Sequence, residues 1–550
     1  MASRAKAAPV IVILAILSAA ALSCGKGKPM PAAAGSADYQ DLIRLFQEWR
    51  EFQKPRVTNG VPDYSAPAMK EQYGKLPEYQ RRLAAIDPGA WPVSRKIDHR
   101  LVRGEMNGLD FDHRVLRPWS RYPGFYAVVA DSEPDVPARE GPEIHGVLNL
   151  WNMAWPLSEE NLAEFRLKVG AIPEILNQAR TNLSEEGRDL WTIGLRVQKR
   201  QSQVLGRLAG RLAEHHPEVV PEVERAKSAV DEFCAWLAEK QAGMKDVPCG
   251  VGVENFDWYM KNVHLVPYTW EEQLQLLQRE MERSLSSLRL EQHRNRKLPP
   301  LEPAADEPEL RRRFDAAVNE FMRFLREEEI FTVPDYMALD LFRGRFIPPG
   351  SRDFFTQVDY RDPLPMRSHM FHWLEKQRMV RDPHPSPIRS APLLYDIWDS
   401  RSEGLATGLE EIMMQAGLLD RSPRSRELVY ILVAMRVARA MGDLKIHSNE
   451  FTLAEAIKYA VDETPYGWLL PEAETVWTDM RIYIQQPGYG TSYLVGKDHI
   501  YRLLADRSRQ MGKEFSLKRF MDEFFASGLI PVSLIRWEMT GLEDEIKRLW

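Results

Sequence analysis

Two imidazoles three residues apart, His369 and His372, form the one close His-x-x-His pair in the sequence. On a helix, residues at this spacing stand one turn above each other, so both rings would share a face. About thirty residues on, the segment LLYDIWDSRSEGLATGLEE supplies Glu403, Glu410 and Glu411. Two imidazoles, a distant carboxylate such as Glu403 and an open position for water outline a helical zinc-hydrolase site. In H-E-x-x-H sites a glutamate beside the first histidine is the general base. Here Met370 follows His369. The substitute within reach is Glu375, three residues after His372 and about 120° from His369 on a helical wheel. The stretch therefore reads as a working variant, with Zn bound by His369, His372 and Glu403, or as a remnant of one.

Such residues need helices to hold them. Leu428 to Met435 is apolar all round, which marks a buried helix within Glu427–Ile446. Arg436, Arg439, Asp443 and His447 follow at spacings of three, four and four and fall in one narrow stripe. Buried charge without partners is costly, so the stripe needs a polar surface opposite. Glu403 and Glu410, seven apart, line one face of their own helix, and the two stripes are expected to meet. Gly404 and Gly408 would let the helices approach closely. A structural ion-pair network explains the same pattern without chemistry.

The rest of the chain is predominantly helical by pattern. Leu42, Leu45, Phe46, Trp49 and Phe52 follow helical spacing, as do Leu162 to Leu176 around Pro173. Ser158 is a candidate N-cap, and Thr269-Trp270-Glu271-Glu272 a capping box ahead of an amphipathic stripe from Leu274 to Leu288. Pro248 to Phe256, with Gly250 and Gly252, is the best internal break, a turn or short strand between two lobes. A strand is expected near Phe354 to Tyr360.

The N-terminus carries Arg4 and Lys6, an apolar run from Ala7 to Leu22 and then Ala21-Leu22-Ser23-Cys24. The run is too short for a membrane span and reads as a secretory signal over residues 1–23. The last four residues resemble the bacterial lipobox, which implies lipidation at Cys24, a tether over residues 24–38 and a cell-envelope location, periplasmic or outer-membrane. The net charge of −6, from 73 basic and 79 acidic residues, gives no electrostatic case for nucleic acid. Cys234 and Cys249 remain, as a pair or as buried thiols.

Pro487 to Ile535 resembles the ending of the bacterial family called domain of unknown function 885. That family shows P-G-Q-A-x-x-Y-x-x-G, a long helix, then L-G-x-x-F-x-L-x-x-F-H-D and G-x-x-P-L. Pro487, Gly488, Tyr493, Gly496, Gly512, Phe515, Leu517, Phe520, Asp522, Gly528 and Pro531 match. Glu403-Gly404-Leu405-Ala406 resembles its E-G-W-A. Arg436, Arg439, Asp443 and His447 with Thr452 resemble its R-x-x-R…D-x-x-x-H…T helix. The likeness spans roughly residues 40 to 540. It implies one mainly α domain over residues 39–545, similar to the thimet oligopeptidase and carboxypeptidase Taq metallopeptidases, with a deep central channel. Tyr493 would then stabilise an oxyanion.

The departures fall on the chemistry. The family's metal motif resembles H-E-x-x-P-G-H-H-x-Q. Aligning Phe371-His372 with its G-H leaves Met366-Arg367 in place of H-E, and aligning His369 with its first histidine leaves Met370 in place of the glutamate. The C-terminal F-H-D has become Phe520-Met521-Asp522. Two readings follow. One is a non-catalytic envelope lipoprotein that binds a peptide or protein partner, with Arg367 near Glu403 supplying the charge of the lost metal. The other is an active zinc peptidase using His369, His372 and Glu403 with Glu375 as base. The losses favour the first, with weak or absent zinc.

Overall fold

The computed structural model describes residues 37–132, 147–245, 247–337, 346–390, 393, 395 and 399–550, without the side chains of Asn152 and His372. Cys24, the signal and nearly all of the tether lie outside them. Among the described residues no helix is long and apolar enough to cross a membrane.

Apolar residues at helical spacing produce helices almost throughout. The N-terminal half contributes α1 (Tyr39–Phe52), α2 (Ala66–Ala84), α3 (Val93–Phe111), α4 (Pro118–Arg121), α5 (Glu159–Asn182), α6 (Arg188–His215) and α7 (Val220–Ala242). Then come α8 (Val253–Tyr259), α9 (Trp270–Arg294), α10 (Glu307–Glu327), α11 (Phe354–Arg361), α12 (Leu364–His369) and α13 (Phe371–Arg381). The C-terminal part is α14 (Asp399–Gln415), α15 (Ser425–His447), α16 (Leu453–Glu463), α17 (Glu474–Gln485), α18 (Tyr489–Met511), α19 (Leu517–Ala526), α20 (Val532–Thr540) and α21 (Asp544–Leu549). The described strands are two ladders of two residues each.

Local signals explain several boundaries. Ser158 Oγ accepts from the Asn161 amide at the start of α5, and α5 runs unbroken through Pro173. The Thr269–Glu272 box closes both of its hydrogen bonds at the start of α9. Residues 354–360 form a helix rather than the expected strand. FFTQVDY suits either state by composition, and burial of Phe354 and Val358, four apart, decides for the helix.

Buried apolar side chains from Leu42 to Leu549 form one continuous core, with a small satellite of Ala304, Leu310, Phe314 and Tyr360. Residues 248–252 lead into α8, which takes up 253–256, without the strand considered for this segment. It caps the end of α15: the Gly252 amide donates to the His447 carbonyl at 2.8 Å. A Cβ on Gly250 would lie 2.0 Å from the Ile446 carbonyl oxygen, so only glycine fits there.

α18 runs through this core and carries His499, which packs against Tyr268 with the rings tilted and their centroids 4.7 Å apart. Neither of its ring nitrogens has a hydrogen bond. Burial, aided by Arg502 and Arg536 against the pull of Asp498, lowers its pKa to about 4. Its unfolded pKa is near 6.5, so the stability tied to its neutral form is complete above pH 6.5 and is lost as pH falls through 4. His499→Phe keeps the ring and removes the unpaired polar atoms. It should leave stability at pH 7 unchanged or higher and flatten the decline between pH 6.5 and 4, read by urea denaturation. A steeper acid decline than the parent's would contradict this.

Candidate functional site

Helix α14 is buried on every face from Asp399 to Met414, and α15 is nearly so. Two glycines bring α14 against α18. A Cβ on Gly404 would lie 2.4 Å from the Gly496 Cα, and one on Gly496 would lie 1.9 Å from the Ser400 carbonyl oxygen. Gly408 is different: its Cβ would make an ordinary 3.8 Å contact with the Lys497 side chain. The near-contact of the α14 and α18 backbones places Glu403 within 2.7 Å of the Tyr489 hydroxyl, which donates to it.

The polar stripe of α15 meets partners from several elements. Arg436 makes a bidentate pair with Glu410 of α14, both bonds 2.7 Å, with both side chains inaccessible to solvent. His369 joins them, its Nδ1 lying 3.1 Å from both Arg436 and the Glu410 carboxylate. A bare Nδ1 accepts from Arg436; a protonated one donates to Glu410. Burial alone would raise the Glu410 pKa, but Arg436 and His369 outweigh it and hold the carboxyl below its usual range.

One turn along, Arg439 pairs with Asp479 of α17 and lies over the Tyr493 ring at 5.4 Å. Asp443 accepts from the Gly488 and Thr491 amides at 3.4 and 3.2 Å and so caps the start of α18. Burial nonetheless pushes its pKa up to about 8. His447 Nε2 donates to the Tyr483 carbonyl at 2.8 Å, and burial lowers its pKa to about 4, so it is neutral at pH 7. Tyr493 is buried, and burial together with Glu403 raises its pKa far above the ordinary phenol range.

The other candidates have different neighbours. His369 ends α12 and His372 lies in α13, with the helix interrupted at Met370 between them. The break is marked by two tight-turn hydrogen bonds: Met370 N donates to Arg367 O and Trp373 N to Met370 O. The His372 side chain lies outside the described residues. Glu375 is committed to the fully buried Arg401 at 2.6 Å, and that guanidinium lies 4.1 Å over Phe524. Arg367 reaches Asp359 at 3.4 Å and the Pro363 carbonyl at 3.0 Å, over the Phe314 ring, in place of the expected partnership with Glu403. Glu411 belongs to a separate network with Arg283 and Lys497 at 2.6 and 2.7 Å, which Glu280 completes.

Tyr489, Asp479, Arg401 and Lys497 were missed from sequence. Tyr489 had a signal, since it stands four residues before Tyr493 on one helical face. Asp479 had none beyond its helix.

Two arginines stand among the candidate zinc residues. A zinc ligand must be deprotonated and free to face the metal. Glu410 is closed by a bidentate arginine and Glu375 by another, while Arg436 brings a fixed cation to His369. Among the described residues, which exclude the His372 side chain, no three His, Cys, Asp or Glu side chains are grouped to hold a metal ion.

Residues 388–539 match the family described as "Bacterial protein of unknown function (DUF885)". No curated protein matches the chain. Two solved structures share the fold. One is a protein of unknown function from Shewanella oneidensis inferred to be a lipoprotein, with TM-score 0.66 and 17% identity, over 91% of this chain and 97% of that one. The other, also inferred to be a lipoprotein, is from Colwellia psychrerythraea, with TM-score 0.61 and 13% identity, over 92% of this chain and 99% of that one. The resemblance to the family read from the sequence holds, and so does the mainly α class.

Proposed function

We propose that the chain is a lipid-anchored cell-envelope protein on a metallopeptidase-like helical scaffold that binds a peptide or protein partner without cleaving it. The observation that carries the non-catalytic part is the Arg436–Glu410–His369 cluster. Every carboxylate oxygen of Glu410 is engaged, and the guanidinium that engages it stands against His369, a candidate ligand of the cation that a zinc hydrolase would need. A second arginine, Arg401, neutralises Glu375, the substitute base. A general base must reach the proton it takes, and a carboxylate held by a guanidinium is poorly placed to do so.

The anchor rests on the Ala-Leu-Ser-Cys sequence, and the two structural relatives inferred to be lipoproteins support it. In cells fed a palmitate analogue, the parent should be labelled and Cys24→Ala should not; equal labelling would end the anchored reading. Purified protein incubated with a mixture of peptides should generate no new N-termini, whether or not zinc is added. Zinc-dependent cleavage would favour the alternative, a variant zinc peptidase.

A further inference from the structure

The start of α3 lies beside the point where the described residues begin. Ala37 is thirteen residues on from Cys24, and its carbonyl accepts from Trp91 Nε1 at 2.7 Å. Tyr39 packs edge-on against the Trp91 ring, and the Arg95 guanidinium lies 4.7 Å over Tyr39. A tether from Cys24 therefore joins the folded part next to the first turn of α3. Thirteen residues reach at most about 45 Å.

The same helix carries four cations, with Arg95 and Arg103 exposed and Lys96 and Arg100 half-buried. None of the four makes an ion pair among the described residues. The acids of α3 are all committed elsewhere: Asp98 to Arg389, Glu105 to Arg50 and Asp110 to Arg114. Nearby cations outside α3 are answered, Arg82 by Glu48 and Lys54 by Glu51. Lys96, Arg100 and Arg103, at spacings of four and three, share one stripe. The Arg100 guanidinium lies 4.0 Å over the ring of Trp550. Burial, with Arg103 adding to it, lowers the Arg100 pKa, and no carboxylate pulls the other way. A single solvated lysine needs no partner. Four cations within about 12 Å of helix, with every acid of that helix withdrawn, make a field of one sign.

We infer that this face of α3 lies on the membrane that holds the anchor and binds its anionic phospholipid headgroups through Arg95, Lys96, Arg100 and Arg103. The chain as a whole has a net charge of −6, so an anionic surface repels it except at such a face. The cations lie within about 20 Å of the tether junction along the helix, well inside the reach of the tether. The anchor keeps the face at high local concentration beside the bilayer, where each cation adds to the hold. The inference rests on the anchored reading above.

Vesicle co-sedimentation tests it with the unlipidated chain from Gly25 to Trp550. The core begins at Leu42, so this chain keeps all of it. Because no lipid is attached, the result is independent of acylation, which the palmitate experiment reads separately. The protein should bind vesicles of phosphatidylcholine mixed with phosphatidylglycerol at low ionic strength. It should not bind phosphatidylcholine alone, and high salt should release it. Lys96→Gln combined with Arg103→Gln should weaken binding about 25-fold, from roughly a fivefold loss for each cation. Lys199→Gln with Arg225→Gln removes the same charge from exposed positions on α6 and α7 and should leave binding unchanged. The lipid and salt comparisons use the parent sequence and keep the test decisive even if a variant does not fold. Equal binding to both kinds of vesicle, an unaltered affinity in a folded α3 variant, or an equal loss in the α6–α7 variant would overturn the inference. So would no binding to the anionic vesicles, and poly-L-glutamate binding in their place would assign the face to an acidic protein.

Discussion

Arg436→Ala is expected to destabilise the protein by about 3–5 kcal/mol at pH 7.5, because it strips Glu410 of its guanidinium in a site closed to water and leaves His369 as its remaining partner. The loss should be pH-dependent in a telling direction. In the parent, Arg436 and His369 hold the Glu410 pKa below its unfolded value. That contribution is present above the unfolded pKa and lost as pH falls. Without the guanidinium, burial takes over and raises the Glu410 pKa above its unfolded value. The variant's deficit should then be smallest at low pH and grow as pH rises. Comparing variant and parent by chemical denaturation at pH 5 and 7.5 measures this. Glu410→Leu combined with Arg436→Met should recover most of the loss, since a buried pair replaced by apolar groups of similar volume is often neutral. A single variant no less stable than the parent at pH 7.5 would show that the pair is not the lock described here.

The second large effect is expected at Gly496. Gly496→Ala would set a Cβ 1.9 Å from the Ser400 carbonyl oxygen and 2.7 Å from the Gly404 Cα. Both are backbone atoms that no rotamer can clear, so α14 and α18 must separate. The cost should exceed the usual overpacking penalty of about 1–3 kcal/mol, and the Tyr489–Glu403 hydrogen bond between the same helices should weaken. Gly408→Ala is the control. It lies in the same buried helix, but its Cβ meets Lys497 only at ordinary contact distance, 3.8 Å from the side chain and 4.0 Å from the Cα. Alanine is the better helix former by about 1 kcal/mol, so Gly408→Ala should be neutral or stabilising. Equal thermal midpoints for the two variants would contradict the close-packing account.

Both expectations rest on features that the sequence makes legible. The apolar run Leu428–Met435 marks a helix buried on all sides, and the spacing of Arg436, Arg439, Asp443 and His447 puts them on one stripe. Gly404 stands out for the same reason. Periodicity assigns a face but not a partner: Arg436 meets the expected Glu410, while Arg439 goes to Asp479 and Asp443 to backbone amides. Those partners come from tertiary packing, which local spacing does not encode. Met370 is the clearest local failure. Nothing in SHMFHW forbids a continuous helix, yet α12 ends at His369 and α13 starts at Phe371. Glu375 looked available because its partner, Arg401, sits across a Pro-rich loop on α14.

The geometry also bears on rebuilding a metal site. Met366→His with Arg367→Glu restores the family's histidine–glutamate pair on paper. Here Arg367 answers Asp359, whose pKa burial has already pushed up to about 6, with Asp362 adding to it. A glutamate in that position adds a third buried acid in place of the cation. The double substitution therefore carries its own destabilisation.

The most direct measurement is zinc content. Full-length protein purified without added metal, then equilibrated with zinc and dialysed, should retain well below one equivalent, because Arg436 stands against His369 and Arg401 holds the substitute base Glu375. Stoichiometric zinc that survives dialysis and disappears in His372→Ala would contradict the account. It would mean that the Glu410–Arg436 and Glu375–Arg401 pairs open to admit a metal.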